Sequence, residues 1–534
     1  MSSLAAKQHS LFIELPAQRG IIFDARMRPL AINIAADSLY ALPREIKDKE
    51  KVINQLLPIL NTNYEFLKDR LYRNKSFIWL ARKLTPQQVE QIRALKIKGL
   101  GFLRENKRAY PNGYLASHII GFVGIDNQGL EGLELFYEHY LKGSAGWASF
   151  LKDARQNRLN IGQPMFPPKN GLDIVLTIDE VIQYIAEREL EKAFRQSNAK
   201  GASVIVMDPY TGRILALANR PSFDLNYAFL ASRDAIRNRA ICDLFEPGSV
   251  FKIVTASAAL EEKKVMEEDK FFCENGSYRL ANHTLSDHKP HGWLTFKEVI
   301  EQSSNIGVTK IAQMLGPEVV YRYARLFGFG KNLGIDLPGE ADGLIKETKF
   351  WSKTSIAAIP MGQEVGVTAL QLATAIAAIA NGGYLMKPYI VKRIQDRQQG
   401  IIKENRPLVI RRVISVDTAE RMKILLRGVV ENGTGKLAKL TEFSAAGKTG
   451  TAQKLEADGT YSHRKFVASF VGFAPCEEPL ITIAVVIDEP HPYYFGGVVA
   501  SPVFKNIAED VLRYLRVKPL EEEISRLDEA KRTN

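Results

Sequence analysis

The chain has 534 residues, 46% hydrophobic and 25% charged, which suits two to four folded domains and excludes a disordered or low-complexity protein. Its net charge of +12 implies an anionic partner surface, a membrane or wall polymer; no Lys/Arg-rich run with interleaved aromatics points to nucleic acid. Three cysteines without a Cys-x-x-Cys pair exclude a disulfide framework, and no stretch reaches the length of apolar residues that a membrane span needs.

In chain order, "MSSLAAKQHSLFIELPAQRG" is neither a signal peptide nor an anchor. Residues 12–40, "LFIEL" and "RGIIFDARMRPLAIN", are predicted as short strands around a polar turn. Residues 44–98 are predicted helical, with Leu56, Leu57, Leu60, Leu67 and Leu71 at helical spacing. Gly and Pro concentrate between 143 and 172, which marks a domain junction. From Leu172, "LDIVL" predicts a strand, followed by an amphipathic helix capped by Thr177 or Asp179. "GASVIVMDPYTGRILALANR" predicts two strands around a turn. "ALQLATAIAAIA" at 369–380 is too short for a span and carries Gln371, so it predicts a core helix. "FSAAGKTGTAQK", "KFVASFVGFAP" and "LITIAVVIDEP" predict three more strands. Strands at both ends of this half, with helices between, predict an α/β fold of α+β type with a mainly antiparallel sheet. The domains are expected at 1–171 and 172–518, with a charged tail at 519–534.

Chemistry concentrates in three motifs. "FEPGSVFK" contains Ser249-x-x-Lys252. That pattern also occurs at Ser149/Lys152, Ser197/Lys200, Ser286/Lys289 and Ser462/Lys465, so alone it carries little. "SFLK" and "SNAK" lack the Pro-Gly entry, "SDHK" is expected in a loop, and "SHRK" between two late strands. Ser303-Ser304-Asn305 and Lys448-Thr449-Gly450-Thr451 follow in order, each the sole occurrence of its motif. A serine hydroxyl needs a base, and residues i and i+3 of a helix share a face, so Lys252 is placed to reach Ser249. Burial and a nearby cation, Lys448, would keep the Lys252 amine neutral. Ser303 is a candidate proton relay and Asn305 a holder of a substrate amide. Lys448, Thr449 and Thr451 are candidate carboxylate ligands, and the backbone N–H groups of Ser249 and Thr451 a candidate oxyanion hole.

The trio Ser-x-x-Lys, Ser-x-Asn, Lys-Thr-Gly resembles the site of penicillin-binding proteins. "TIDEVIQYIAERELE" and "ALQLATAIAAIANGG" are similar to the framework of their transpeptidase domain. "RGIIFDARMRPLA" resembles the segment that opens the N-terminal pedestal of class B members, with "DARMRPLA" departing from the usual Asp-Arg-Asn-Gly turn. The late strands resemble the division-type branch. The resemblance covers about residues 15 to 515. It implies a transpeptidase domain on an elongated α+β pedestal, and a serine D,D-transpeptidase that acylates Ser249 with a peptidoglycan stem peptide ending in D-Ala-D-Ala and passes the acyl group to an amine. Ser249, Lys252, Ser303, Asn305 and Lys448 would be catalytic, and Thr449, Gly450 and Thr451 substrate-binding. β-Lactams, a membrane glycosyltransferase and other cell-division proteins are the implied partners. No cofactor and no nucleic acid are implied. The implied place is the outer, periplasmic face of the bacterial inner membrane; the chain starts about where the anchor helix would end, so the anchor is expected to have been trimmed or lost to a start codon assigned too late.

Alternatives on the same site are an elongation-type transpeptidase, a D,D-carboxypeptidase or a β-lactamase; of another class, a β-lactam sensor or a silent division scaffold. His283, His288 and His291 with Cys273 fit no structural-zinc spacing, so no metal is expected. "GTGKLAK" at 433–439 is expected to be a loop, and Cys242 a buried small residue.

Overall fold

The computed structural model describes residues 10–152, 158–159, 165–280, 283–456 and 458–519. The expected charged tail at 519–534 lies outside these residues beyond Pro519, as does the start of the chain before Ser10. Among the described residues no helix is long and apolar enough to cross a membrane.

The N-terminal region begins with strand Ser10–Leu15, paired antiparallel with Gly146–Lys152. Strand β1 (Ile22–Phe23) turns into β2 (Pro29–Ala41). At this turn Asp24 Oδ1 accepts from the N–H groups of Arg26 and Arg28 at 2.8 and 2.7 Å, and Met27 occupies the left-handed region at φ 66°. That conformation favours glycine, so a methionine at this turn position carries backbone strain. Helices α1 (Lys49–Leu60) and α2 (Tyr64–Tyr72) follow, capped by Asp48 and Asn63. Their Leu56, Leu67 and Leu71 are buried as the spacing requires, while Leu57 and Leu60 are half-buried.

The helical expectation for 44–98 needs one correction. Ile78–Ala81 is a strand, β3, paired with β2. Its Ile78 and Leu80 point into the core and Trp79 outward, the period-2 pattern that a long helical window conceals. Helix α3 (Pro86–Ala94) then opens on a Thr85/Gln88 capping box, and β4 (Leu100–Ala109) pairs with β2 along its length.

Strand β5 (Asp173–Leu176) leads to helix α4 (Glu180–Gln196). Of the two expected caps the structure uses Asp179, whose carboxylate accepts from Val181 and Ile182 N–H. Strands β6 (Gly201–Met207) and β7 (Ile214–Arg220) form the expected pair. Helices α5 (Lys252–Glu261), α6 (Asn305–Leu315) and α7 (Ala369–Ala380) follow, then strand β8 (Val391–Asp396), helix α8 (Val416–Glu431), strands β9 (Ala446–Leu455), β10 (Tyr461–Ala474) and β11 (Ile481–Asp488), and helix α9 (Ser501–Tyr514).

The central sheet runs β7-β6-β11-β10-β9, antiparallel throughout. Its β6 and β11 bury nearly every residue, because helices cover both faces. One face packs Ile182, Ile185 and Leu190 of α4 with Phe504, Ile507 and Val511 of α9; the other packs against α5, α7 and α8. Every residue of α7 is buried, and Gln371 is there for a reason. It completes a capping box with Thr368, and its Nε2 donates to the carbonyls of Lys331 and Asp342 at 3.1 and 2.9 Å, so its amide is not stranded in the core. Strand β9, which carries Lys448-Thr449-Gly450-Thr451, lies at the edge of this sheet.

A second sheet joins the two regions. β5 pairs in parallel with β1 and antiparallel with β8, so β8, from the C-terminal region, is in continuous hydrogen-bonded contact with the N-terminal strands.

Candidate active site

The nucleophile candidate sits where the chain reverses into α5. Gly248–Phe251 forms a 3-10 turn that runs into the helix. Gly248 has φ 54°, and a Cβ there would stand 2.7 Å from the Thr451 carbonyl oxygen. Only glycine both adopts this conformation and lets the turn touch β9. Gly450 serves the same seam from the other side: a Cβ on it would meet Pro247 O at 2.7 Å and Ser469 Oγ at 2.3 Å. Gly450 thus holds strand and turn together rather than lining the cavity. Ser249 is half-buried on the wall of a groove of about 1000 Å³.

Behind it lie two fully buried lysines. Lys252 Nζ donates to Ser303 O at 2.5 Å, Ser303 Oγ at 3.1 Å and Asn305 Oδ1 at 2.8 Å. These three acceptors take the three donors of an ammonium, and no hydrogen bond joins Lys252 to Ser249 in this structure. Lys448 Nζ donates to the same Ser303 Oγ at 2.9 Å and to the Thr449 carbonyl at 3.2 Å. Ser303 therefore stands between both amines, and it does so with its backbone in the left-handed region, φ 60°. Non-glycine residues at such angles cluster at functional sites, where the surroundings hold them.

Burial lowers the proton affinity of both lysines. Lys252 is brought down to about 7, against a pull upward from the Asp287 carboxylate. Lys448 is pushed well down, by burial first and by the like charge of Lys252 second. Of the two expected causes, burial and a nearby cation, burial is the one that lowers Lys252, while the like-charge effect falls on Lys448.

Asn305 begins α6, with Ser304 as its cap. Its Nδ2 donates to Ser286 O at 3.0 Å while its Oδ1 accepts from Lys252, which fixes the amide's orientation. The residue the sequence reasoning missed is Asp287. Its carboxylate accepts from Ser304 Oγ at 2.6 Å and from the N–H groups of Asn305 and Ile306 at 2.5 and 3.1 Å, an anion on a helix N-terminus. In "SDHK" it is a lone acidic residue that no spacing marks. Thr434 was missed too: its hydroxyl meets that of Thr449 at 2.7 Å. Thr451 Oγ1 accepts from Gly496 N–H at 3.0 Å.

The remaining Ser-x-x-Lys pairs fall elsewhere or serve the groove differently. Ser149 and Lys152 lie in strand Gly146–Lys152, and Ser197 ends α4. Ser462 and Lys465 lie inside β10, not between strands. Ser286 closes a short strand, and Lys289 lies on the groove wall. Cys242 is half-buried rather than buried, and burial still raises its thiol. Residues 433–439 include a 3-10 turn at Lys436–Ala438. Cys273 is buried against Ser304 Oγ, His288 and His291 line the groove, and the His283 side chain lies outside the described residues. Among the described residues no group of three or more His, Cys, Asp or Glu is arranged to hold a metal ion.

Two half-buried serines, Ser249 and Ser303, and two buried lysines, Lys252 and Lys448, meet between a helix start and a sheet edge, a constellation suited to acyl transfer. Comparison places it. Residues 202–509 match the penicillin binding protein transpeptidase domain, and residues 14–176 the penicillin-binding protein dimerisation domain. Stage V sporulation protein D of Bacillus subtilis is 36% identical over 536 residues, 98% of this chain and 83% of the relative. The peptidoglycan D,D-transpeptidase FtsI of Escherichia coli K12 is 33% identical over 516 residues, 95% and 85% of the two chains. Among solved structures, penicillin binding protein 3 of Mycobacterium tuberculosis complexed with aztreonam superposes with a TM-score of 0.75 at 29% identity, covering 95% of this chain and 98% of that one. The chain belongs to the penicillin-binding protein family, in its class B.

Proposed function

We propose that Ser249 is the nucleophile of a peptidoglycan D,D-transpeptidase, with Lys252 as its base. The observation that carries this reading is Ser303, whose hydroxyl accepts from two fully buried amines at 3.1 and 2.9 Å. A donor stem peptide lies along the edge strand β9, its terminal carboxylate on Lys448, Thr449 and Thr451. That anion favours the charged form of Lys448, whose positive charge in turn favours the neutral form of Lys252. Lys252 then takes the Ser249 proton as Oγ bonds to the penultimate D-Ala carbonyl carbon. The oxyanion is held by the N–H groups of Ser249 and Thr451. The C–N bond breaks, and the leaving D-Ala nitrogen receives a proton through Ser303. In the second half an acceptor amine attacks the ester, gives up its proton by the same route, and Ser249 regains its own. Asn305 orients the donor amide and holds Lys252 in place.

A β-lactam enters the same path, and its ring-opened acyl group stays on Ser249. The division-type reading draws on the similarity to FtsI, and its partners are then a membrane glycosyltransferase and other division proteins. We place the transpeptidase domain at 172–518 on a pedestal at 1–171, at the outer face of the inner membrane; the net charge of +12 suits an anionic wall or membrane surface.

Intact-mass measurement after incubation with benzylpenicillin tests this. A stable adduct on the peptide carrying Ser249, absent in Ser249→Ala, is the expected result. Intact antibiotic and no adduct would overturn the nucleophile assignment; destroyed antibiotic and no adduct would indicate a β-lactamase.

A further inference from the structure

The groove around Ser249 is far more basic than the reaction at its floor requires. Lys289, Lys436, His288, His291 and His463 line it, and Asp287 is its sole carboxylate among the described residues. Asp287 is already committed to Ser304 Oγ and two N–H groups at the start of α6, so it offers little to a ligand. Lys289 and Lys436 are exposed and make no ion pair among the described residues, although the chain forms many such pairs elsewhere. Both are fixed to the site by their neighbours. Lys289 follows the Asp287 anchor by two residues, beside Ser303-Ser304-Asn305. Lys436 follows Thr434, whose hydroxyl meets Thr449 at 2.7 Å. One free cation therefore stands beside each of the two motifs that flank the nucleophile. A groove lined by one sign of charge concentrates ligands of the other and discriminates among them by charge.

We propose that Lys289 and Lys436 are specificity-determining residues that select ligands carrying carboxylates beyond the one at the reacting end. For a stem peptide, this means the acidic form, with its internal carboxylates free, over the amidated form. For a β-lactam, it means a side chain bearing a second carboxylate. The inference rests on the transpeptidase reading above, since it concerns the same groove.

The test uses the full chain and two penicillins that differ by one carboxylate: benzylpenicillin and carbenicillin, its α-carboxylated counterpart. Second-order acylation rates are read by intact mass, and the quantity compared is the carbenicillin-to-benzylpenicillin ratio, which cancels general losses of fold or reactivity. Each lysine is expected to contribute roughly threefold to that ratio, the scale of an exposed ion pair, so K289Q/K436Q lowers it by close to an order of magnitude. K289R/K436R, which keeps the charge, retains the wild-type ratio. Raising ionic strength from about 0.05 to about 0.5 M shortens the screening length and lowers the wild-type ratio but not that of K289Q/K436Q. Acylation by both penicillins at a ratio indifferent to the substitutions and to salt overturns the inference and leaves Ser249 standing as nucleophile. Acylation by neither overturns both.

Discussion

Two clusters of buried charge, one in the N-terminal region and one in the C-terminal region, are built on opposite terms. In the first, Glu134 is fully buried between Arg19 and Arg108. Its two oxygens accept from their Nε atoms at 2.5 and 2.6 Å. Glu138 adds a second carboxylate to Arg19, and the backbone carbonyls of Glu134 and Gly20 take further donors. Every charge has its opposite. In the second, Lys252 and Lys448 are as deeply buried, and their direct partners are neutral: a hydroxyl, an amide oxygen and carbonyls. Compensated charge leaves the fold rigid and chemically quiet. Uncompensated charge is costly to hold, and the cost appears as a lowered proton affinity of both amines. The first cluster knits strands to helices; the second is poised to exchange a proton.

The comparison breaks most visibly at Lys252. Lys252→Met removes the proposed base and should slow acylation of Ser249 by a penicillin about 10²- to 10⁴-fold, while the paired cluster is untouched. In the wild type the acylation rate should rise as pH climbs through about 7, where Lys252 loses its proton. Stability carries a matching signature. The folded-state value, about 7, lies below the ordinary 10.5 of a lysine. Between those two values the unfolded chain binds more protons than the folded one, so stability should rise with pH across that window. The urea midpoint of Lys252→Met should show a shallower rise than that of the wild type. Equal slopes would mean that Lys252 is not held as a reluctant cation.

The paired cluster fails in the opposite way. Glu134→Ala leaves two buried guanidiniums without their shared anion and should cost about 3–5 kcal/mol in denaturant unfolding. Below the unfolding transition its penicillin acylation rate should stay within about threefold of the wild type, because a structural pair set apart from the groove acts through the fold. A large loss of acylation in protein that remains folded would show that the two clusters are coupled.

What the sequence disclosed follows the same division. The sheet was legible because β6, β11 and the second half of β10 are apolar runs bounded by turn residues, and α7 because its apolar face runs all the way round. The strand β3 was not, since four residues of alternating burial are lost in a helical window. The three motifs were legible through order and uniqueness. Their geometry was not: that Ser303 takes a left-handed backbone, or that both lysines converge on its hydroxyl, depends on contacts across 145 residues of chain. Asp287 was hidden for a different reason. A lone acidic residue in a polar loop has no spacing to betray it, and its role is fixed only when α6 presents free N–H groups to it.

Asp287 is also where the smallest and most discriminating change lies. It is the one carboxylate that tempers the second cluster: its charge raises the proton affinity of Lys252, opposing burial. Asp287→Asn removes that charge. The amide oxygen still accepts from the Asn305 and Ile306 N–H groups, which share one carboxylate oxygen, but the NH2 group cannot accept from Ser304 Oγ. The lost charge-assisted bonds should lower the plateau acylation rate on the order of tenfold. The lost charge should do something separate, because with less negative potential nearby Lys252 gives up its proton more readily. The rising limb of the pH–rate profile should therefore move to lower pH. A purely structural role for Asp287 predicts a lower plateau with the limb in place. A limb that moves to higher pH would mean that the reorganised loop exposes Lys252 to water, and would show burial rather than charge to be what Asp287 controls.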